Sequence, residues 1–152
     1  FIPTVNRAVR EVTSEVVIIL NNDVRVSANF IQPLVDMFDG ENVFAVVSKS
    51  LVFKNGGYLN ESISYAKIEN GEFELLQPGI DFPSRSFDRP CTIFHAAGGF
   101  SAFDREKFLE LGGFDELYAP FYWEDVDISF RAWRRGWRRG LKPLKSPSRR
   151  ST

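Results

Sequence analysis

One cysteine, Cys91, one histidine, His95, and one methionine are all this 152-residue sequence holds of the softer side chains. A single cysteine cannot close an intrachain disulfide, so a disulfide scaffold is excluded. A lone histidine is more often a structural or surface residue than a metal ligand, because metal sites need several convergent ligands. No apolar run approaches the ~18 residues of a membrane span. No signal peptide is visible, since Phe1-Ile2-Pro3-Thr4 lacks the basic and then apolar pattern. The absence of an initiating Met points to an N-terminus upstream of Phe1. There is no long internal repeat; Trp133-Arg134-Arg135-Gly136 and Trp137-Arg138-Arg139-Gly140 echo each other too briefly for a repeat architecture. Finally, no acidic residue follows Asp127. That stretch carries nine of the 19 Lys and Arg, leaving ten of them against all 20 Asp and Glu in the body.

What is present is an ordinary globular composition: 43% hydrophobic, 14% aromatic, with 15 Phe. A disordered chain would be poorer in both. The length fits one domain able to bury a sizeable core. Ala8, Val9 and Val12 mark one face of a helix within 6–14. Val16 to Leu20 is a five-residue apolar run, rich in β-branched residues, and predicts a strand buried on both faces. Ser27 is a plausible cap for a helix reaching Phe38, with Pro33 tolerable only in its first turn and Gly40 ending it. Val43 to Val47 predicts a second buried strand. Residues 51–77, with Asn55-Gly56-Gly57 and Asn70-Gly71 as turns, predict a β-hairpin excursion. Residues 78–90, with three prolines, predict a loop. Thr92 to Phe94 reads as a short strand and Ala97-Gly98-Gly99 as a tight bend. Asp104 caps a helix ending at Gly112-Gly113, and a last helix runs from Glu124 or Asp125 to Gly136. Helices alternating with buried strands argue an α/β fold.

Two short clusters could carry chemistry. Asn21-Asn22-Asp23 follows the first strand, where α/β sheets bind ligands. A carboxylate there suits a hard divalent cation that could bridge a diphosphate, and Asn21 could bond a ribose hydroxyl without adding charge. The plainer reading is a strand-ending turn, for which Asn and Asp are well suited. Trp123-Glu124-Asp125-Val126-Asp127 places three carboxylates at a helix start. Acids there satisfy free N–H groups and the helix dipole, which is the reading favoured for Asp127. Glu124 and Asp125 follow an aromatic loop that could shield them, and a shielded carboxylate beside an acceptor hydroxyl is a reasonable general base.

The order of these segments resembles a known family. Strand plus Asn21-Asn22-Asp23, then Gly98-Gly99 before a Phe-containing helix, then Leu111-Gly112-Gly113-Phe114-Asp115-Glu116, then Trp123-Glu124-Asp125-Val126-Asp127-Ile128-Ser129-Phe130-Arg131-Ala132, is similar to the family 2 inverting glycosyltransferases, particularly the rhamnosyltransferase-like branch. The resemblance covers about residues 6–137. It implies a partial GT-A, Rossmann-like mixed sheet flanked by helices. It implies Asp23 as ligand of Mg²⁺ or Mn²⁺ on the donor diphosphate, with Asn21 replacing the usual first Asp of an Asp-x-Asp element. Asn21, Asn22, Gly98 and Gly99 would lie along the donor, Trp123 would wall the acceptor site, Asp125 would be the base, and Glu124 would orient the acceptor. The donor would be a dTDP- or UDP-sugar and the acceptor a saccharide or lipid-linked saccharide, in the cytoplasm. The family's first strand and base-binding loop would precede Phe1, and its metal-ligating His after the last helix has no counterpart in His95. A non-catalytic nucleotide- or glycan-binding fragment of the same fold is the alternative.

After Trp137 the resemblance predicts an apolar strand, but residues 138–152 are basic and rich in Ser and Pro. The first reading is a disordered or non-native tail. The second is a peripheral contact with the inner face of the membrane, since Lys and Arg are drawn to anionic lipid. Nucleic acid ranks last, because no recognition motif accompanies the charge.

Overall fold

Helix α1 (Ile2–Glu11) carries Pro3 in its first turn, where the missing N–H is no loss. In the computed structural model, which describes residues 1–39, 42–54, 56–76 and 90–142, α1 leads into strand β1 (Val16–Leu20). The chain continues through α2 (Ile31–Val35) and β2 (Val43–Ser48). Two hairpins follow: β3 (Leu51–Lys54) with β4 (Gly57–Asn60), and β5 (Tyr65–Glu69) with β6 (Glu72–Leu76). Then come β7 (Cys91–Thr92), β8 (Phe100–Asp104), α3 (Arg105–Glu110), α4 (Glu124–Arg134) and β9 (Arg138–Lys142).

The main sheet has the order β1-β8-β2-β9-β7. Strand β8 runs antiparallel to both β1 and β2, with Ala102 opposite Ile18 on one side and Val46 on the other. β1 and β2 are therefore parallel to each other. Their carboxyl ends, Leu20 and Ser48, reach the same edge of the sheet as the amino end of β8. The larger apolar cluster, on one face, joins Val17, Ile19, Phe44 and Phe103 to Ile2 and Val9 of α1, Phe108 of α3, and Ile128 and Ala132 of α4. The smaller cluster joins Val46 and Ala102 to Leu34 of α2. This is the mixed α/β architecture the alternation of elements predicted. Asn6 fastens α1 to the loop before α4: its amide donates to the Phe114 carbonyl (2.8 Å) and accepts from the Phe114 N–H (2.9 Å).

Several expectations change. The helix expected from Ser27 starts only at Ile31, and no side chain caps it. An earlier start would bury Pro33 in the helix interior, where it lacks a donor and clashes with the preceding turn. The excursion at 51–77 is two hairpins, the second closing through Asn70 (φ 53°) and Gly71 (φ 83°), the left-handed pair a tight hairpin turn requires. The strand expected at Thr92 to Phe94 lies at Cys91–Thr92. Asp104 caps α3 by accepting the Lys107 N–H (3.0 Å), as expected. Residues 138–142 are not outside the sheet: β9 pairs in parallel with β2 and antiparallel with β7. Strand pairing is made by main-chain groups that every non-proline residue carries, so basic composition does not prevent it. Gly40, the loop from 78 to 89 and the tail from 143 to 152 fall outside the described residues.

Candidate functional site

Asn21, Asn22 and Asp23 lie exposed just beyond β1. The Val24 N–H returns to the Asn21 carbonyl (3.3 Å), so the segment is a turn as well as a candidate site. Asp23 stands on the wall of an open cleft of ≈ 580 Å³ between this turn and the end of β2, with Arg25, Ser27, Phe30, Lys49, Glu61 and Phe100 among its lining. Glu124 and Asp125 do not line that cleft. Among the described residues no group of three or more His, Cys, Asp and Glu could hold a metal. One exposed carboxylate still fits Mg²⁺ or Mn²⁺, which are commonly held by one or two carboxylates, substrate phosphates and water.

The bend at Gly98-Gly99 joins this turn to α4. The Asn21 N–H donates to the Gly99 carbonyl (2.8 Å). A Cβ on Gly99 would lie 2.7 Å from Asn21 Cγ, so only glycine lets the Asn21 side chain rest on this backbone. On the other side the Gly98 N–H donates to Asp125 Oδ2 (3.1 Å). A Cβ on Gly98 would meet Asp125 Cβ and Glu124 Oε1, each at 3.6 Å. The bend itself hangs from α4 and from the strand region before β5. Ala96 N–H donates to Ser129 Oγ (3.0 Å), His95 N–H to Ser64 Oγ (3.1 Å), and Phe94 N–H to the Ser64 carbonyl (2.7 Å).

At the start of α4, Trp123 sits in the left-handed region (φ 85°), uncommon for a bulky residue, and its indole is half exposed. Asp125 keeps its side chain 21% exposed while Oδ1 accepts the Val126 N–H (2.8 Å). Glu124 is only 6% exposed, and its Oε2 has no hydrogen-bond partner among the described residues. Burial raises the Glu124 pKa above its ordinary value, and the neighbouring Asp125 charge adds to the rise. Asp127 pairs with Arg131 (2.6 Å), which also donates to the Leu111 and Gly113 carbonyls, so this carboxylate works in the fold.

The structure thus brings Asn21, Gly99, Gly98, Asp125 and Glu124 into one connected path, with Trp123 at its end. Asn22 and Asp23 extend the path into solvent. Of two further neighbours, the sequence marks His95 only as a structural or surface residue and does not single out Phe73. His95 is buried, with Nε2 4.0 Å from Asp125 Oδ2, close enough for charge to be felt and too far for a hydrogen bond. Its position three residues before Gly98 was the available signal. Phe73, on β6, has its ring 6.3 Å from that of Trp123; nothing local in sequence links them.

Residues 2–112 match the model of glycosyl transferase family 2. The chain is 30% identical over 134 residues to N-acetylgalactosaminyltransferase 6 of Drosophila melanogaster, covering 84% of this chain and 20% of that protein. It is also similar in fold to the crystal structure of GalNAc-T7 with UDP, GalNAc and Mn2+, with a TM-score of 0.64 and 20% identity over 93% of this chain and 30% of that one. The chain therefore spans less than a third of either relative. Among the described residues no helix is long and apolar enough to cross a membrane. With more than half of its length matched by the family model, the chain belongs to glycosyl transferase family 2.

Proposed function

We propose that this chain transfers a sugar from a UDP- or dTDP-linked donor to a hydroxyl of a saccharide or lipid-linked saccharide, with inversion at the anomeric carbon. The observation that carries the reading is the Gly98-Gly99 bend, which rests on Asn21 at one residue and on Asp125 at the next. A donor laid along that bend would have its diphosphate toward Asp23 and its anomeric carbon toward Asp125. The family membership and the named activity of the Drosophila relative support sugar transfer, and the UDP in the similar GalNAc-T7 structure supports a nucleotide-sugar donor.

Asp23 would hold Mg²⁺ or Mn²⁺, which when bound offsets the charge of the departing diphosphate. Asn21 and Asn22 would donate to donor hydroxyls, and the small Gly98 and Gly99 would let the donor sugar approach the backbone. Asp125 accepts the proton of the acceptor hydroxyl. The freed oxygen forms a bond to the anomeric carbon while the bond from that carbon to the diphosphate oxygen breaks, its electron pair leaving with the nucleotide. The Gly98 N–H holds Asp125 at a fixed angle for this transfer. Glu124, buried beside it, would orient the acceptor, and Trp123 would wall the acceptor side. The Lys and Arg within residues 138–152 support a peripheral contact with anionic lipid, which flotation with vesicles containing and lacking anionic lipid would measure.

Titration calorimetry with UDP- and dTDP-sugars, with and without Mn²⁺, tests the reading. Metal-dependent binding that Asp23→Ala removes is expected, with transfer abolished by Asp125→Asn and a product of inverted configuration by proton NMR. No metal-dependent donor binding and no turnover would point instead to a non-catalytic member of the fold; turnover indifferent to both substitutions would remove Asp23 and Asp125 from the reaction, and a product of retained configuration would remove Asp125 as the base.

A further inference from the structure

The β5–β6 hairpin takes no part in the chemistry above, yet it delivers Phe73 to the proposed acceptor side. Phe73 meets Trp123 nearly edge-on, with ring centroids 6.3 Å apart and planes at 64°. Its other neighbour is Phe94, at 5.6 Å, just before the bend that carries Gly98. A two-stranded hairpin is marginal by itself, so such ring contacts fix where it lies. Packing does not use the rings up: Phe73 is 43% exposed and Trp123 50%. Two half-open rings set at this angle, two residues from Asp125, make a floor and a wall.

We infer that Phe73 is a specificity-determining residue, forming with Trp123 an aromatic corner that receives the C–H face of a neutral pyranose acceptor. This rests on the acceptor role proposed for the Trp123 side. A pyranose carries several C–H bonds on one face and hydroxyls around its rim, so it can cover an aromatic ring while leaving a hydroxyl directed at a base. Neutrality follows from the surrounding charge. By the alternation of side chains along a strand, Glu69, Glu72 and Glu74 lie on the hairpin face opposite Phe73, so the charge at the corner is set from α4. Glu124 and Asp125 adjoin the corner from α4. A uronate or phosphate placed there meets like charge.

The test measures binding of methyl glycosides of neutral hexopyranoses and of methyl glucuronide by saturation-transfer NMR and Trp fluorescence, with and without UDP and Mn²⁺. Neutral glycosides are expected to bind more tightly than the glucuronide. Phe73→Ala and Phe73→Leu should weaken them roughly five- to tenfold, the scale of one aromatic contact, while Phe73→Tyr keeps them. UDP–Mn²⁺ affinity should be unchanged in all three. The inference is overturned if the wild type binds no glycoside, if the glucuronide binds as tightly as the neutral sugars, or if Phe73→Leu with a wild-type Tm binds glycosides unchanged. Loss of UDP–Mn²⁺ binding by the wild type would count against the transfer reading instead, because the corner is read from the glycoside alone.

Discussion

At the end of β1 the groups proposed to meet the donor stand in water, whereas at the start of α4 the two carboxylates proposed to act on the acceptor are folded into protein. Asp23 is exposed on an open cleft; Glu124 is 94% covered by contrast, and Asp125 has both carboxylate oxygens engaged by backbone N–H groups. The difference matches the tasks. A carboxylate that shares a hydrated cation with a diphosphate needs access and little precision. A base needs a fixed position, and burial makes its surroundings respond to any change of charge. The bend at Gly98-Gly99 is where the two regimes meet.

The largest expected effect falls on the buried side. Asp125→Asn should lower the transfer rate by roughly 10²–10⁴-fold, the usual worth of a positioned base, in a steady-state assay; a loss under tenfold would mean another group takes the proton. Next comes the junction. Gly99→Ala must displace Asn21 and should destabilise the fold by about 1–3 kcal/mol, as overpacking does, read from urea unfolding. An unchanged midpoint would show that the bend gives way freely. Smaller and dependent on pH is Glu124→Gln. Because burial raises the Glu124 pKa above its ordinary 4.5, the folded protein holds this proton more tightly than the unfolded chain. That stabilisation is complete below the ordinary value and is lost as pH rises through the folded one. The Tm of Glu124→Gln relative to wild type should therefore climb as pH rises above the ordinary value of 4.5; a flat difference would contradict the buried charge. The smallest change in stability belongs to Asp23→Ala, within about 0.5 kcal/mol as for a surface residue, even as metal-dependent donor binding disappears. A large drop in Tm would erase the contrast between the two regions.

The sequence displayed what depends on local pattern. Val16 to Leu20, Asp104 at its cap, and Asn70-Gly71 at its turn each state their structure within a few residues. Strand β8 did not: Phe100-Ser101-Ala102-Phe103 has no long apolar run, and only pairing with β1 and β2 on either side makes it central. The basic residues at 138–142 likewise join the sheet through main-chain bonds that composition does not reveal. Both site clusters were legible as chemistry, since carboxylates at a strand end and a helix start are conspicuous. Their connection was only implied by family order; His95 had its nearness to Gly98 as a signal, while Phe73 reaches the site through a tertiary contact with no local trace.

Strand β8 has a temporal consequence. It lies between two strands that precede it by more than 50 residues, so Ala102 must find Ile18 and Val46 before the centre of the sheet exists. Closing such long loops is slow, and little rewards the partial steps. The bend that enters β8 is the same one that unites Asn21 with Asp125. A competent site therefore arises with the last central strand, and a ligand that bridges the bend binds only the finished sheet, adding its affinity to the stability of the whole rather than of one loop.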